Sequence, residues 1–189
     1  MIRRYLASMR VIAGSARGRR IQAPPGDSTR PITDRAKEAI FNMLVSLGVV
    51  ADAEVLDLFA GSGSFGIECL SRGAGHVTFV ERNRQAAAVL SANLEHLGFA
   101  RQATVRIAEV AAFLREPAVA GSAAVDLAFC DPPYALDPWA ELLSVIPADT
   151  LVAHADHPIE LTAPWQELRS RTYGRSHIVI AGRNEEPHF

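Results

Sequence analysis

Two short segments carry residue types at spacings that could do chemistry. In Asp57-Leu58-Phe59-Ala60-Gly61-Ser62-Gly63-Ser64-Phe65-Gly66 a G-x-G-x-x-G spacing joins strand-forming residues to a helical run. Glycines at such a junction permit a tight turn and close approach of a cofactor, and Glu81, twenty residues after Gly61, can accept hydrogen bonds from ribose hydroxyls. The implied ligand contains adenosine; the alternative is a glycine-rich connection that binds nothing. NAD or FAD would bring a pyrophosphate over the turn, where Asp57 repels it. S-adenosylmethionine instead presents an α-ammonium and a sulfonium, both favoured by a carboxylate. Asp57 therefore favours S-adenosylmethionine, unless it serves only to cap the turn backbone.

The second segment is Asp131-Pro132-Pro133-Tyr134, after the fourth predicted strand of the sheet and so at the carboxyl edge where open α/β sheets bind ligands. Two prolines fix the backbone and remove two donors. The carbonyls of Asp131 and Pro132, with the Asp131 carboxylate, then form an acceptor-only cluster suited to an NH2 group, and Tyr134 offers a flat face to a base. The alternative is a rigid turn with a core aromatic.

These segments need a frame. From Val55 onward strand-like and helix-like runs alternate, as in a largely parallel sheet flanked by helices. Strands are predicted at Val55–Phe59, Val77–Glu81, Thr104–Ala108, Val125–Cys130 and Thr150–Ala153. Helices are predicted from the glycine turn to about Arg72, over Arg84–Leu97 with its stop at Gly98, over Val110–Leu114 and over Pro138–Val145. Leu168–Tyr173 and His177–Ala181, joined at Gly174, give a hairpin signal. Ahead of Val55, Arg10–Ile21 is read as a small β element and Asp34–Leu47 as an amphipathic helix.

With 189 residues, 49% hydrophobic and 21% charged, the chain suits one domain with a substantial core and excludes collagen-like, disordered and mini-protein classes. Its apolar runs are too short for a membrane helix and its start lacks a signal peptide's apolar stretch, so a cytoplasmic protein is expected. Cys69 and Cys130 lie in apolar segments without ligand spacing and are expected to be buried and unpaired, with no metal. His154 and His157 precede a proline with no third ligand in sight and are read as ordinary loop residues. Net charge is −2, but residues 1–37 carry +7 and the remainder −9. A basic arm on an acidic body suits a polyanion, and equally describes a solvated tail.

The D-x-F-x-G-x-G-x-x-G turn, the acid ending the second strand and D-P-P-Y together resemble the class I S-adenosylmethionine-dependent methyltransferases of exocyclic base nitrogens. Met9-Arg10-Val11-Ile12-Ala13-Gly14, Arg17-Gly18-Arg19-Arg20 and the run from Arg30 to Asn42 resemble the opening of the RsmD family, bacterial 16S rRNA guanine-N2 methyltransferases of the guanine-966 class. The likeness runs from Met9 to Asp137 and resumes at Tyr173-Gly174.

The resemblance implies a Rossmann-like α/β fold: a seven-stranded, mostly parallel sheet with a C-terminal antiparallel hairpin. It divides the chain into a basic RNA-binding extension, residues 1–30, and a methyltransferase domain, residues 31–189. Asp57, Gly61 and Gly63 would flank the methionine part of the cofactor, Glu81 would take the ribose, and Glu109 would lie where the adenine amino group is read. For Glu109 a simple helix-start role is the alternative. Thr33, Asp34 and Arg35 would close one side of the pocket, and Asp131, Pro132, Pro133 and Tyr134 would hold the target guanine. Arg10, Arg17, Arg19, Arg20 and Arg30 would hold 16S rRNA or the assembling small subunit, the protein acting as a monomer. The chain departs from the family pattern after the fifth strand: Val152-Ala153-His154-Ala155-Asp156-His157-Pro158 lacks the acid relatives usually carry there. Residues 1–8 precede the usual family start and are assigned no role. A DNA adenine-N6 methyltransferase, an NAD(P)-dependent oxidoreductase and a non-catalytic RNA-binding factor are the alternatives.

Overall fold

The structure is a computed structural model describing residues 9–24, 33–120, 124–133 and 138–184. In chain order it contains β1 (Met9–Arg10), β2 (Arg20–Ile21), α1 (Asp34–Leu47), β3 (Glu54–Leu58), α2 (Ser64–Ser71), β4 (His76–Val80), α3 (Arg84–Leu97) and β5 (Ala103–Arg106). There follow α4 (Val110–Leu114), α5 (Pro117–Ala120), β6 (Val125–Cys130), α6 (Trp139–Val145), β7 (Ala148–Ala155), β8 (Trp165–Tyr173) and β9 (Ser176–Arg183). The helices begin and end where local chemistry dictates. Thr33 Oγ1 accepts the Ala36 amide at the start of α1, Asn83 Oδ1 accepts those of Gln85 and Ala86 at the start of α3, and Gly48 and Gly98 end these helices in the left-handed region.

The main sheet has the order β5-β4-β3-β6-β7-β9-β8. The first five are parallel; β9 runs antiparallel between β7 and β8. This is the expected seven-stranded sheet with its closing hairpin. Chain direction across the sheet reverses between β3 and β6, which makes their carboxyl ends the topological switch point. The central strands are buried on both faces. Val55, Val77, Leu127, Phe129, Val152 and Ile180 meet α1, α2 and α3 on one face, where Phe65 stacks on Phe129 at 3.6 Å and meets Phe41 at 4.7 Å. Leu56, Leu58, Val80, Ala128 and Leu151 meet α4, α6 and Trp165 on the other.

Three differences from the sequence expectation are instructive. The strand predicted over Thr150–Ala153 extends to Ala148–Ala155, because β6 pairs with it at Ala148 and β9 pairs with it as far as Ala155. The first hairpin strand starts earlier than the expected Leu168 and ends at Tyr173 as expected, and the second extends beyond His177–Ala181 at both ends. From Gln166 to Thr172 the edge strand β8 is exposed on both faces, so it carries no hydrophobic alternation to mark its start. The first sheet strand stops at Leu58, because Phe59 enters the left-handed region at φ 60° and turns the chain toward the glycines.

Residues 9–24 are not a free tail. Val11, Ala16 and Ile21 belong to the same core as α1, α2 and α3. Gly14 permits the approach: at φ +82° a β-carbon there would lie 1.7 Å from the Ser71 carbonyl oxygen.

Candidate active site

Register aligns the site residues along one edge. Leu58, the last residue of β3, pairs with Val80 and with Cys130, and Cys130 pairs with Ala153. The next residues, Phe59, Glu81, Asp131 and His154, therefore emerge side by side at the carboxyl ends of four adjacent strands. Asp57, one residue inside β3, is 1% exposed. Its Oδ2 accepts the Gly66 amide at 2.9 Å, so it caps the first turn of α2, whose own cap residue Gly63 has no side chain to do so. Burial pushes the Asp57 carboxyl up to about 8, the Gly66 hydrogen bond opposes the rise, and the charges of Asp131 and Glu81 add to it. Three carboxyl groups thus share one electrostatic neighbourhood, in which a cation would favour their ionised forms.

The glycine turn is held from both sides. Glu81 accepts the Gly61 amide at 2.9 Å through Oε2 and the Asn83 amide at 2.7 Å through Oε1. A carboxylate has further acceptor sites, so ribose hydroxyls remain compatible with these bonds. Gly63 adopts φ +77°, and Gly66 lets α2 lie on β4, since a β-carbon there would be 2.3 Å from the Phe79 ring. Behind the turn, buried Asn93 donates to the Ser62 carbonyl at 3.1 Å and exchanges two hydrogen bonds with the Gln22 backbone, at 2.9 and 3.0 Å. The N-terminal segment and the turn are thereby fastened to one side chain.

Several expected site residues have partners of their own. Glu109 is the cap residue of α4 and its exposed side chain pairs with Arg82 at 3.2 Å. Thr33 caps α1, Asp34 pairs with Arg10 at 3.0 Å, and Arg35 is exposed. Arg17 and Arg20 are exposed; Arg19 donates to the carbonyls of His96 and Leu97, the latter at 3.1 Å, at the end of α3. Pro132 is buried and Pro133 half-buried beside Asp131. Tyr134 and Arg30 lie outside the described residues. Cys69 and Cys130 are buried thiols, whose pKa values burial raises well above the ordinary value.

Two groups were missed by sequence reasoning. Lys37, counted there as part of the basic arm, is 4% exposed. Its ammonium donates to the Arg10 carbonyl at 3.0 Å and Ser64 Oγ at 3.2 Å, and lies 3.6 Å from Glu68 Oε2. Burial lowers its pKa, against the opposing pull of Glu68 and Asp34. Glu68, fully buried, also accepts the amides of Ile12 at 2.7 Å and Ala13 at 3.0 Å and the Arg72 guanidinium at 2.8 Å. The second is His154, read as a loop residue and found 1% exposed in β7, where Nδ1 lies 2.8 Å from Asp131 Oδ1. Its neighbour His157 pairs with Asp156 instead, so the two histidines do not converge.

A doubly wound sheet with a glycine turn at its switch point, an acid after the second parallel strand and D-P-P after the fourth defines the Rossmann-like methyltransferase class of fold. The family described as Conserved hypothetical protein 95 matches residues 9–182. YlbH of Bacillus subtilis is 39% identical over 188 residues, covering 91% of this chain and 97% of the relative. Ribosomal RNA small subunit methyltransferase D of Escherichia coli strain K12 is 32% identical over 177 residues, covering 88% of this chain and 86% of the relative. The solved structure of YhhF from Escherichia coli is 31% identical and superposes with a TM-score of 0.82, covering 95% of this chain and 99% of that one. The chain belongs to this family, the RsmD family.

Proposed function

We propose that the protein transfers a methyl group from S-adenosylmethionine to the exocyclic N2 of a guanine in 16S rRNA of the small ribosomal subunit. The observation that carries the reading is the convergence of Asp57, Glu81 and Asp131 at the switch point, an acidic cluster beside a turn with two glycines in the left-handed region. The name of the Escherichia coli relative, Ribosomal RNA small subunit methyltransferase D, supports the substrate class. When bound, S-adenosylmethionine supplies an electrophilic methyl group on a cationic sulfur with a neutral thioether as leaving group. Asp57, with Gly61 and Gly63, holds the methionine part, and Glu81 the ribose. Glu109 reads the adenine amino group, and Thr33 and Arg35 close the pocket.

The guanine amino lone pair is delocalised into the ring and is a weak nucleophile until drawn out of plane. Asp131 and the Pro132 carbonyl accept its two N–H bonds and aim the lone pair at the methyl carbon, while Tyr134 stacks on the base. A nitrogen–carbon bond forms as the carbon–sulfur bond breaks, its electron pair staying on sulfur. The nitrogen becomes cationic and acidic, and Asp131 takes the surplus proton. Residues 1–30 serve as the RNA-holding part, through Arg10, Arg17, Arg19, Arg20 and Arg30, with residues 31–189 as the catalytic part.

The test is transfer of radiolabelled methyl groups to small subunits and to naked 16S rRNA from cells lacking the endogenous enzyme, with nucleoside analysis. N2-methylguanosine is expected, and Asp131→Ala should abolish it while leaving cofactor affinity nearly unchanged. Absence of incorporation, or a different methylated nucleoside, would overturn the reading.

A further inference from the structure

We infer that His154 is the positioning residue for Asp131: its imidazole anchors one carboxylate oxygen so that the other faces the substrate amino group. An aspartate at a strand end ordinarily steadies itself on the amide two residues ahead. Here that residue is Pro133, preceded by Pro132, and neither has an N–H to offer. The loop that presents Asp131 as an acceptor cluster thus cannot hold its carboxylate in place. The anchor comes from the neighbouring strand. His154 sits next to Asp131 through the pairing of Cys130 with Ala153, is 1% exposed, and places Nδ1 at 2.8 Å from Oδ1.

An ionised carboxylate only accepts, so the imidazole carries its hydrogen on Nδ1. Asp131 keeps 35% of its side-chain surface exposed, whereas the histidine keeps 1%. The histidine therefore lies behind the carboxylate, away from the substrate side. One fixed Oδ1 removes the rotation of the carboxylate about its own axis and leaves Oδ2 for the amino group. Burial restrains the ring: His154 pairs in register with Ile178 of β9, itself a core residue, and is 1% exposed. His154 touches neither cofactor nor base in this arrangement; it acts through Asp131.

The inference rests on the proposed methyl transfer, so its test has one arm that does not. Full-length wild type, His154→Asn and His154→Leu are compared for melting temperature, S-adenosylhomocysteine binding, and kcat and KM in the methylation assay. Asn can place a side-chain N–H close to the Nδ1 position, and Leu cannot donate. His154→Leu is expected to lower kcat by about 10²-fold, with KM for S-adenosylmethionine within about twofold of wild type. His154→Asn should restore kcat to within about fivefold of wild type. If His154→Leu does not fold, His154→Gln, whose amide reaches the Nε2 position, takes its place with the same expected loss.

Unchanged kcat in the non-donating variant would overturn the inference, as would an Asn variant that folds and binds S-adenosylhomocysteine but stays as slow as Leu. The independent arm is the imidazole 15N NMR spectrum of the wild type. It should show the Nδ1–H tautomer of His154, with a proton resonance that shifts in Asp131→Asn. If wild type methylates no rRNA while this signature is present, the proposed reaction fails and the His154–Asp131 pair stands. An Nε2–H tautomer insensitive to Asp131→Asn would remove the pair itself.

Discussion

Replacing Glu68 with glutamine tests how the basic segment is attached. The carboxylate is fully buried, accepts hydrogen bonds from the Ile12 and Ala13 amides and the Arg72 guanidinium, and pairs with the Lys37 ammonium at 3.6 Å. Glutamine keeps the shape and one acceptor but turns the other oxygen into a donor, facing a group that itself donates. It also strips the countercharge from Lys37, whose side chain is only 5% exposed. Leaving one member of a buried ion pair uncompensated costs about 3–5 kcal/mol. For a chain of 189 residues each kcal/mol lowers Tm by about 2–4 °C, so Glu68→Gln should melt about 6–20 °C below wild type. Adding Lys37→Met removes the stranded ammonium and should recover a large part of that loss. Thermal melts of the two variants and Lys37→Met alone complete the cycle, and limited trypsin digestion reads the segment directly, with faster cleavage at Arg17 and Arg19 in Glu68→Gln. A Tm for Glu68→Gln within about 2 °C of wild type, or a double variant no better than the single, would refute this account.

Two further expectations concern the glycine turn. With its pKa at about 8, Asp57 carries a proton at pH 7, and binding of cationic S-adenosylmethionine should expel it. Calorimetry in buffers of different ionisation heat should show release of about one proton, lost in Asp57→Asn. The same shift has a sign for stability: the unfolded carboxyl ionises near 3.8 and the folded one near 8, so the wild type loses stability as pH rises through that window. The melting temperature of Asp57→Asn should therefore gain on wild type from pH 4 to pH 8, and a constant difference would contradict the burial argument. Gly63→Ala sets a β-carbon 2.2 Å from Leu90 Cδ1 at φ +77°. Left-handed strain and overpacking together amount to about 2–5 kcal/mol, which should lower Tm by about 4–20 °C. An unshifted melt would show that the turn relaxes.

Much of this protein is local and was legible as sequence. The glycine turn, the stop at Gly98 and the apolar strands act over a few residues, so their periodicity and composition record them directly. The D-P-P turn was legible for the same reason, and with the glycine turn and Glu81 it put the candidate site at the carboxyl edge. Other features depend on what packs against a residue, and the chain does not write that down locally. Lys37 counts as one more charge in a basic arm until the fold buries it on Glu68, 31 positions away. His154 reads as part of a polar loop before Pro158 until pairing with β9 extends β7 and brings the imidazole to Asp131. Asp57 shows an acid in the sequence, but its burial and the two neighbouring carboxylates that set its proton affinity exist only once β3, β4 and β6 lie side by side. Sequence determined which groups are present and which turns present them; tertiary structure decided their protonation and their partners, because desolvation and charge act through space and not along the chain.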